Sequence, residues 1–491
     1  MTKRIVGRWT ARALACAVLA LFAAGCATNP VTGRSEFSLV SADQEKQIGQ
    51  QGYPATIAEY GKYDDERLAA YVDSVGQRLA KASELPDLDW HFTVLDDPTV
   101  NAFAMPGGYI YITRGILAHL NSEAQLAGVL GHEIGHVTAR HSARQITQQQ
   151  LAGLGLGLAS AFSTTFRRYG GAAEQALGLL MLKYGRDDEN QADALGIRYA
   201  TAAGWDPREV PGTYQTLGRI SDKGGSRLPS FLSTHPDPGD RAQRTTQLAA
   251  AAVAGRQGLA VRGHEYLGHV RGVVYGEDPR AGYFESGRYY HPEMGFEAAF
   301  PAGWQTANGR SQVVAQQPQQ KAQMQLTLAT NAGTLAPADY VAALARDGRI
   351  ASATGGRETV GGWPAWVGRV AMPAEQGAAP VVLDAGWIRQ APDRLFQFLG
   401  RSTAVGDADD AAILQAIRSF RPMQDAARRN PAPERVRVQA APAAGTIQSL
   451  MPRLGPNALD ALDLSILNGV GSDETIASGR WLKSVEPGRR H

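Results

Sequence analysis

An α+β protein, mainly helical with a small antiparallel sheet in its first half and strand-rich in its second, is what this sequence predicts. Three observations carry that expectation. Apolar residues recur at helical spacing through much of the chain from Ala42 to Thr201, around one buried helix bearing His132-Glu-Ile-Gly-His136. Within that half only Trp90 to Leu95 and Ala102 to Thr113 read as strands. From Gly282 to Met423 short β-prone runs and turns replace the helical pattern. At 491 residues, two or three domains are expected.

The N-terminus stands apart from the fold. Lys3, Arg4, Arg8 and Arg12 precede an apolar run from Ala13 to Ala24, then Gly25 and Cys26. That is the pattern of a secretory signal over residues 1–25, with an apolar core too short to span a membrane. Phe22-Ala-Ala-Gly-Cys26 resembles a bacterial lipoprotein cleavage box, which makes Cys26 a lipidated first residue. Ala27 rather than Asp follows it, the usual sign of an outer membrane lipoprotein facing the periplasm. The formal charge of +2 includes those four basic residues, so the mature chain carries about −2 and no nucleic-acid partner is expected. Cys16 and Cys26 are the two cysteines, so no disulfide is expected either.

Residues 26–41 hold Asn29-Pro30 and Thr32-Gly33 and read as an extended tether. Helices are expected at Ala42–Gln51 and Asp64–Ala82, the second with Leu68, Tyr71, Val72, Val75 and Leu79 toward the core. Residues 102–113 read as strand, tight turn at Pro106-Gly107-Gly108, and strand. A strand with an open edge here can hold an extended peptide. Ser122 to Gln150 reads as one long helix, capped by Asn121 or Ser122. The apolar stretch from Leu151 is expected to pack as a loop and helix, with a mobile flap over 151–169 as its alternative, and a second helical run covers Ala172 to Thr201.

On a helix, positions i and i+4 share a face, so His132 and His136 aim both imidazoles at one point. Two neutral nitrogens so placed suit zinc, and Glu133 beside them can take a proton from an attacking water. A third ligand is needed. Glu189 and Asp193 are again i and i+4, so one can ligate while the other hydrogen-bonds a ligand imidazole; the residues alone leave the choice open.

Taken together, these motifs resemble the HExxH gluzincin metallopeptidases related to the CAAX prenyl endopeptidase and the heat-shock protease HtpX. The elements are His132 to His136, Arg186-Asp-Asp-Glu189-Asn-Gln-Ala-Asp193 about fifty residues on, and Asn101-Ala-Phe-Ala-Met-Pro-Gly-Gly108 before them. A lipidated form without membrane spans is similar to the periplasmic lipoprotein branch of BepA and LoiP. The likeness runs from about Asn29 to Arg244. It implies a zincin-like fold, one zinc ion per chain, Glu189 as third ligand, Asp193 as the residue that orients a ligand, and a substrate lying extended along Ala102, Phe103 and Ala104. Ser233-Thr-His235-Pro resembles that branch's Thr-His-Pro loop, which implies His235 as a gate on the metal or a donor to the oxyanion, with Arg241 a neighbouring cation.

The expected domain plan is a signal (1–25), tether (26–41), zinc peptidase domain (42–258), α+β domain of unassigned role (259–425), linker (426–445) and small C-terminal module (446–491). His291, followed by Pro, is expected to be structural. No tetratricopeptide period is visible, although that repeat accompanies some relatives. The expected function is a zinc endopeptidase cleaving unfolded or misassembled envelope proteins. A chaperone or outer-membrane assembly factor acting by client binding is the alternative.

Overall fold

A computed structural model describes residues 26–155, 183–224, 231, 234–235, 238–374 and 380–490. The signal segment and most of the 151–169 stretch lie outside the described residues. Two compact units are present: residues 1–276 with 435–487, and residues 277–434 with 488–491.

The first unit begins not with a free tether but with a hairpin, β1 (Cys26–Thr28) against β2 (Ser35–Phe37). Asn29, at its turn, is 1% exposed, because its side chain satisfies the hairpin's own amides and reaches a carbonyl of the helical body. Helix α1 (Ala42–Tyr60) follows, with Ser41 and Gln44 forming a reciprocal capping box. In α2 (Glu66–Ala80), capped by Asp65, the expected Leu68, Val72, Val75 and Leu79 are all buried. Strands β3 (His91–Leu95), β4 (Ala102–Met105) and β5 (Tyr109–Thr113) form a sheet ordered β3-β5-β4. It is mixed: β4 pairs antiparallel with β5, and β3 pairs parallel with it. The turn between β4 and β5 places Gly107 and Gly108 at φ +85° and +93°, a region that favours glycine.

Helix α3 (Arg114–His119) leads into α4 (Glu123–Thr138), which Ser122 caps by accepting from Gln125 N. The single long helix expected from Ser122 to Gln150 is instead two, α4 and α5 (His141–Gly155). Arg140 breaks it at φ +57°, held there as its guanidinium donates to Glu45 Oε2 (3.0 Å) and Val40 O (2.8 Å). Helices α6 (Arg186–Ala202), α7 (Val210–Gly224), α8 (Pro238–Ala252) and α9 (Gly263–Val270) complete this part. The core gathers Leu126, Leu130 and Ile134 of α4 with Val72, Val94, Ile112, Ile197 and Tyr199.

Part of the expected linker is structured. Arg435–Ala440 is a strand paired antiparallel with Trp481–Glu486, and Val436 N donates to Val273 O at 2.8 Å. Lys483, fully buried, donates from Nζ to Ala118 O and Leu120 O at 2.6 Å each. Burial pushes its ammonium well below the usual lysine range, and the two carbonyls are what it holds in exchange. The last strand thereby fixes the segment that enters α4.

The second unit carries a seven-stranded antiparallel sheet whose central pairs are Trp363–Ala371, Val382–Ala391 and Arg394–Arg401. Helices Pro337–Arg346 and Ala408–Arg418 pack on it, and four shorter strands, including Arg288–His291, form a separate sheet. His291 Nδ1 accepts from Met294 N, a turn contact. Among the described residues no helix is long and apolar enough to cross a membrane.

Candidate metal centre

Helices α4 and α6 can carry one site because small residues let their backbones approach. A Cβ on Gly196 would fall 2.8 Å from His132 N, and one on Gly135 would fall 3.2 Å from Ala192 Cα. Three glycines, Gly131, Gly135 and Gly196, therefore set the depth at which Glu189 and Asp193 meet the histidine face.

Four buried donors converge there: His132, His136, Glu189 and His235 offer atoms all within 4.8 Å of one another. His132 Nε2 lies 3.0 Å from His136 Nε2. Glu189 places Oε2 at 3.6 Å from the first and Oε1 at 3.5 Å from the second.

Whether this set suits a cation follows from where the hydrogens sit. His132 Nδ1 faces the Asp193 carboxylate at 3.0 Å, closer than Arg241 Nη2 at 3.3 Å, so Nδ1 carries the hydrogen and Nε2 is bare. On the other ring, His141 donates from Nε2 to Gln191 Oε1 (3.0 Å), which leaves His141 Nδ1 to accept from His136 Nδ1 (2.8 Å). His136 Nε2 is then bare as well. Two lone pairs facing each other at 3.0 Å in a buried site, with a carboxylate beside them, repel unless a cation lies between. The residues fit zinc.

Electrostatics agree with that assignment. Burial, then the charge of neighbouring histidines, holds His136 well below the usual histidine range, so it is a neutral donor. Burial pushes Glu189 up, but His235, His132 and Arg241 outweigh it and bring the carboxyl down to about 2. Asp193 is likewise lowered against its burial, chiefly by Arg241. Arg241 is itself 1% exposed and spends its guanidinium on Asp193 (2.6 and 3.0 Å), Glu189 (2.8 Å) and the Tyr214 hydroxyl (2.7 Å). It orients the two acidic residues, and the ion pair of its Nη1 with Glu189 places it beside the donor cluster as the expected neighbouring cation.

Glu133 is different. It is 0% exposed, and among the described residues neither carboxyl oxygen has a hydrogen-bond partner; His235 Nε2 stands 3.8 Å away. Burial pushes its pKa up, partly offset by His235 and His132. A buried carboxyl without a partner is costly, and it is the state expected of a base reserved for water or substrate.

His235 enters the donor cluster, with Nδ1 2.8 Å from Glu189 Oε1 and 3.3 Å from His132 Nε2. Phe231 stacks on its ring and donates from its amide to Val100 O (3.3 Å), two residues before the outer strand β4. Ala102 and Phe103 of that strand are buried and Ala104 is half-buried. Cys26 is the first residue of β1 and is not among the donors. His141, Gln191, Tyr184 and Tyr214 were not foreseen: the first two fix the His136 tautomer, and the Tyr184 ring stacks on His136 at 3.9 Å.

Residues 66–249 match peptidase family M48. The chain is 32% identical over 241 residues to the mitochondrial metalloendopeptidase OMA1 of Schizosaccharomyces pombe, covering 46% of this chain and 68% of that one. It is also 32% identical over 232 residues to the beta-barrel assembly-enhancing protease of Escherichia coli, 45% of this chain and 47% of that one. The chain thus spans about half the length of the second relative. A cyanobacterial PsbP structure from Synechocystis covers 28% of the chain at 14% identity and a TM-score of 0.22, too low to bear on the fold. Every donor that the geometry brings together lies inside the matched stretch, and the coverage of the yeast relative fixes the family. This chain belongs to peptidase family M48 and is a zinc metalloendopeptidase.

Proposed function

We propose that this endopeptidase works in bacterial envelope protein quality control, held as an outer membrane lipoprotein through Cys26 with its body in the periplasm, and that it cleaves unfolded or misassembled envelope proteins. The observation that carries the catalytic part is the fully buried Glu133 beside the converging donors, its carboxyl without a hydrogen-bond partner among the described residues. The cellular part is supported by the basic and apolar run ending at Cys26, and by an Escherichia coli relative whose name concerns β-barrel assembly.

His132, His136 and Glu189 would hold the zinc, and Asp193 and His141 keep the two rings turned toward it. When bound, zinc supplies Lewis-acid activation of a water and of the scissile carbonyl. Glu133 takes the water's proton and returns it to the leaving amine. An extended polypeptide along β4 is held by main-chain hydrogen bonds, which favours unfolded clients over particular sequences. A client-binding chaperone is the weaker reading, because the base and all the donors are in place. Adding chelator to the purified protein is expected to stop cleavage of an unfolded substrate. Zinc-replete protein that never cleaves, yet suppresses aggregation, would contradict this reading.

His235 occupies the donor cluster, with Phe231 stacked on its ring. His235→Ala is expected to raise the rate on an unfolded protein severalfold by freeing the donor cluster. An unchanged rate with unchanged zinc content would remove His235 from the site's workings.

A further inference from the structure

Asn29 is the third residue beyond Cys26, and it is fastened on every side. Its Nδ2 donates to Ala139 O (3.2 Å) and Glu36 Oε1 (2.9 Å), and its Oδ1 accepts from Val31 N (2.9 Å) and Thr32 N (3.2 Å). Its main chain closes the hairpin, N to Arg34 O at 2.8 Å and O from Gly33 N at 2.9 Å. Further along, Leu39 N donates to Thr147 Oγ1 on α5 (3.0 Å), and Val40 O accepts from Arg140 at the helix break (2.8 Å). The segment 29–40 is therefore bound to the end of the helix that carries the zinc ligands: Ala139 is three residues beyond His136.

The reach is short. Three extended residues from Cys26 to Asn29 span at most about 10 Å. Three residues of helix from Ala139 back to His136 rise about 4.5 Å. With the Asn29 side chain and its hydrogen bond, the backbone of His136 lies within roughly 25 Å of that of Cys26. A free tether of the fourteen residues from Thr28 to Ser41 would reach about 50 Å. Thr28, Thr32, Gly33, Arg34 and Ser35 of the hairpin are exposed, and its one carboxylate, Glu36, is tied to Asn29 and Arg144.

We propose that, because Cys26 to Thr28 are themselves paired in the docked hairpin, the lipid at Cys26 holds the body on a leash with no slack residues, so that the α4–α5 break lies toward a phospholipid bilayer and the metal centre acts on polypeptide held at its surface. This rests on the reading of Cys26 as a lipidated residue. A bilayer-facing mount restricts clients by position, where main-chain recognition along β4 restricts them little by sequence.

The test uses the full chain in phosphatidylethanolamine and phosphatidylglycerol vesicles, with and without a Gly/Ser insert of about twenty residues between Cys26 and Ala27, which leaves Ala27 and Thr28 paired and is long enough to free the body from the surface. Two lipid-anchored unfolded reporters are supplied, one cleavable next to the bilayer and one cleavable only beyond a rigid spacer. The wild type is expected to prefer the near reporter by about tenfold or more, and the insertion to bring that ratio toward one, as effective concentration dictates. Equal rates of both proteins on soluble unfolded substrate in detergent show that the insert leaves the fold intact. A ratio the insertion does not change, with lipid on Cys26 confirmed by mass spectrometry of the N-terminal peptide, overturns the leash. An unlipidated Cys26 overturns the lipoprotein reading instead, and the leash with it.

Discussion

Glu133→Gln is expected to lower turnover of an unfolded polypeptide by about 10²–10⁴-fold, the contribution of a positioned base, while zinc content stays at that of the wild type. Glutamine keeps the shape of the side chain but cannot accept and return a proton. Zinc is retained because Glu133 is not among the converging donors; it lies one residue from His132, and among the described residues neither of its oxygens has a hydrogen-bond partner. The substitution also removes a carboxyl that burial disfavours, so the thermal midpoint should equal or exceed that of the wild type. Rate measurement on an unfolded protein, with metal analysis and a thermal melt of the same preparation, checks all three. A variant that loses zinc along with activity would make Glu133 a ligand.

Glu189→Ala is expected to act the other way, on metal affinity first and on rate as its consequence. Its carboxylate is the anionic member of the donor set, and Arg241 and His235 both lean on it. Removing it takes away the anionic donor and leaves Asp193, on the far side of the His132 ring, to balance Arg241. Affinity should fall by more than the ~10–100-fold that loss of an outer partner of a ligand costs. Chelator competition with the folded variant measures this. Asp193→Asn, which keeps the donors but weakens the hold on His132 Nδ1, belongs in the milder range and serves as the comparison.

Much of the centre is legible in the sequence because it is local. His132 and His136 share a helix face by spacing alone, and the apolar residues around them mark that helix as buried. The acidic partner is legible only as a pair: Glu189 and Asp193 lie one turn apart, and what separates their roles is the depth at which glycines let α6 meet α4. His141 was out of reach for a sharper reason. On a continuous helix, a residue five beyond His136 points about 140° away from it. Only the left-handed Arg140, a conformation rare outside glycine and asparagine, turns His141 back to the His136 ring.

Non-local contacts account for the other differences. Asn29 meets its carbonyl partner 110 residues away, so Asn-Pro and Thr-Gly turn signals without periodicity read as irregular chain. The strand at 435–440 finds its pair at 481–486, and Lys483 anchors to a carbonyl 365 residues upstream. A Pro-, Ala- and Arg-rich segment read by composition alone carries no sign of such a partner, whereas the strands of the second unit, patterned within themselves, do.

Zinc affinity measured side by side in Glu133→Gln and Glu189→Ala by chelator competition separates base from ligand most directly. Wild-type affinity is expected in the first and a loss exceeding about 100-fold in the second. Equal affinities in the two variants, whether both retained or both lost, would contradict the division of labour between base and ligand.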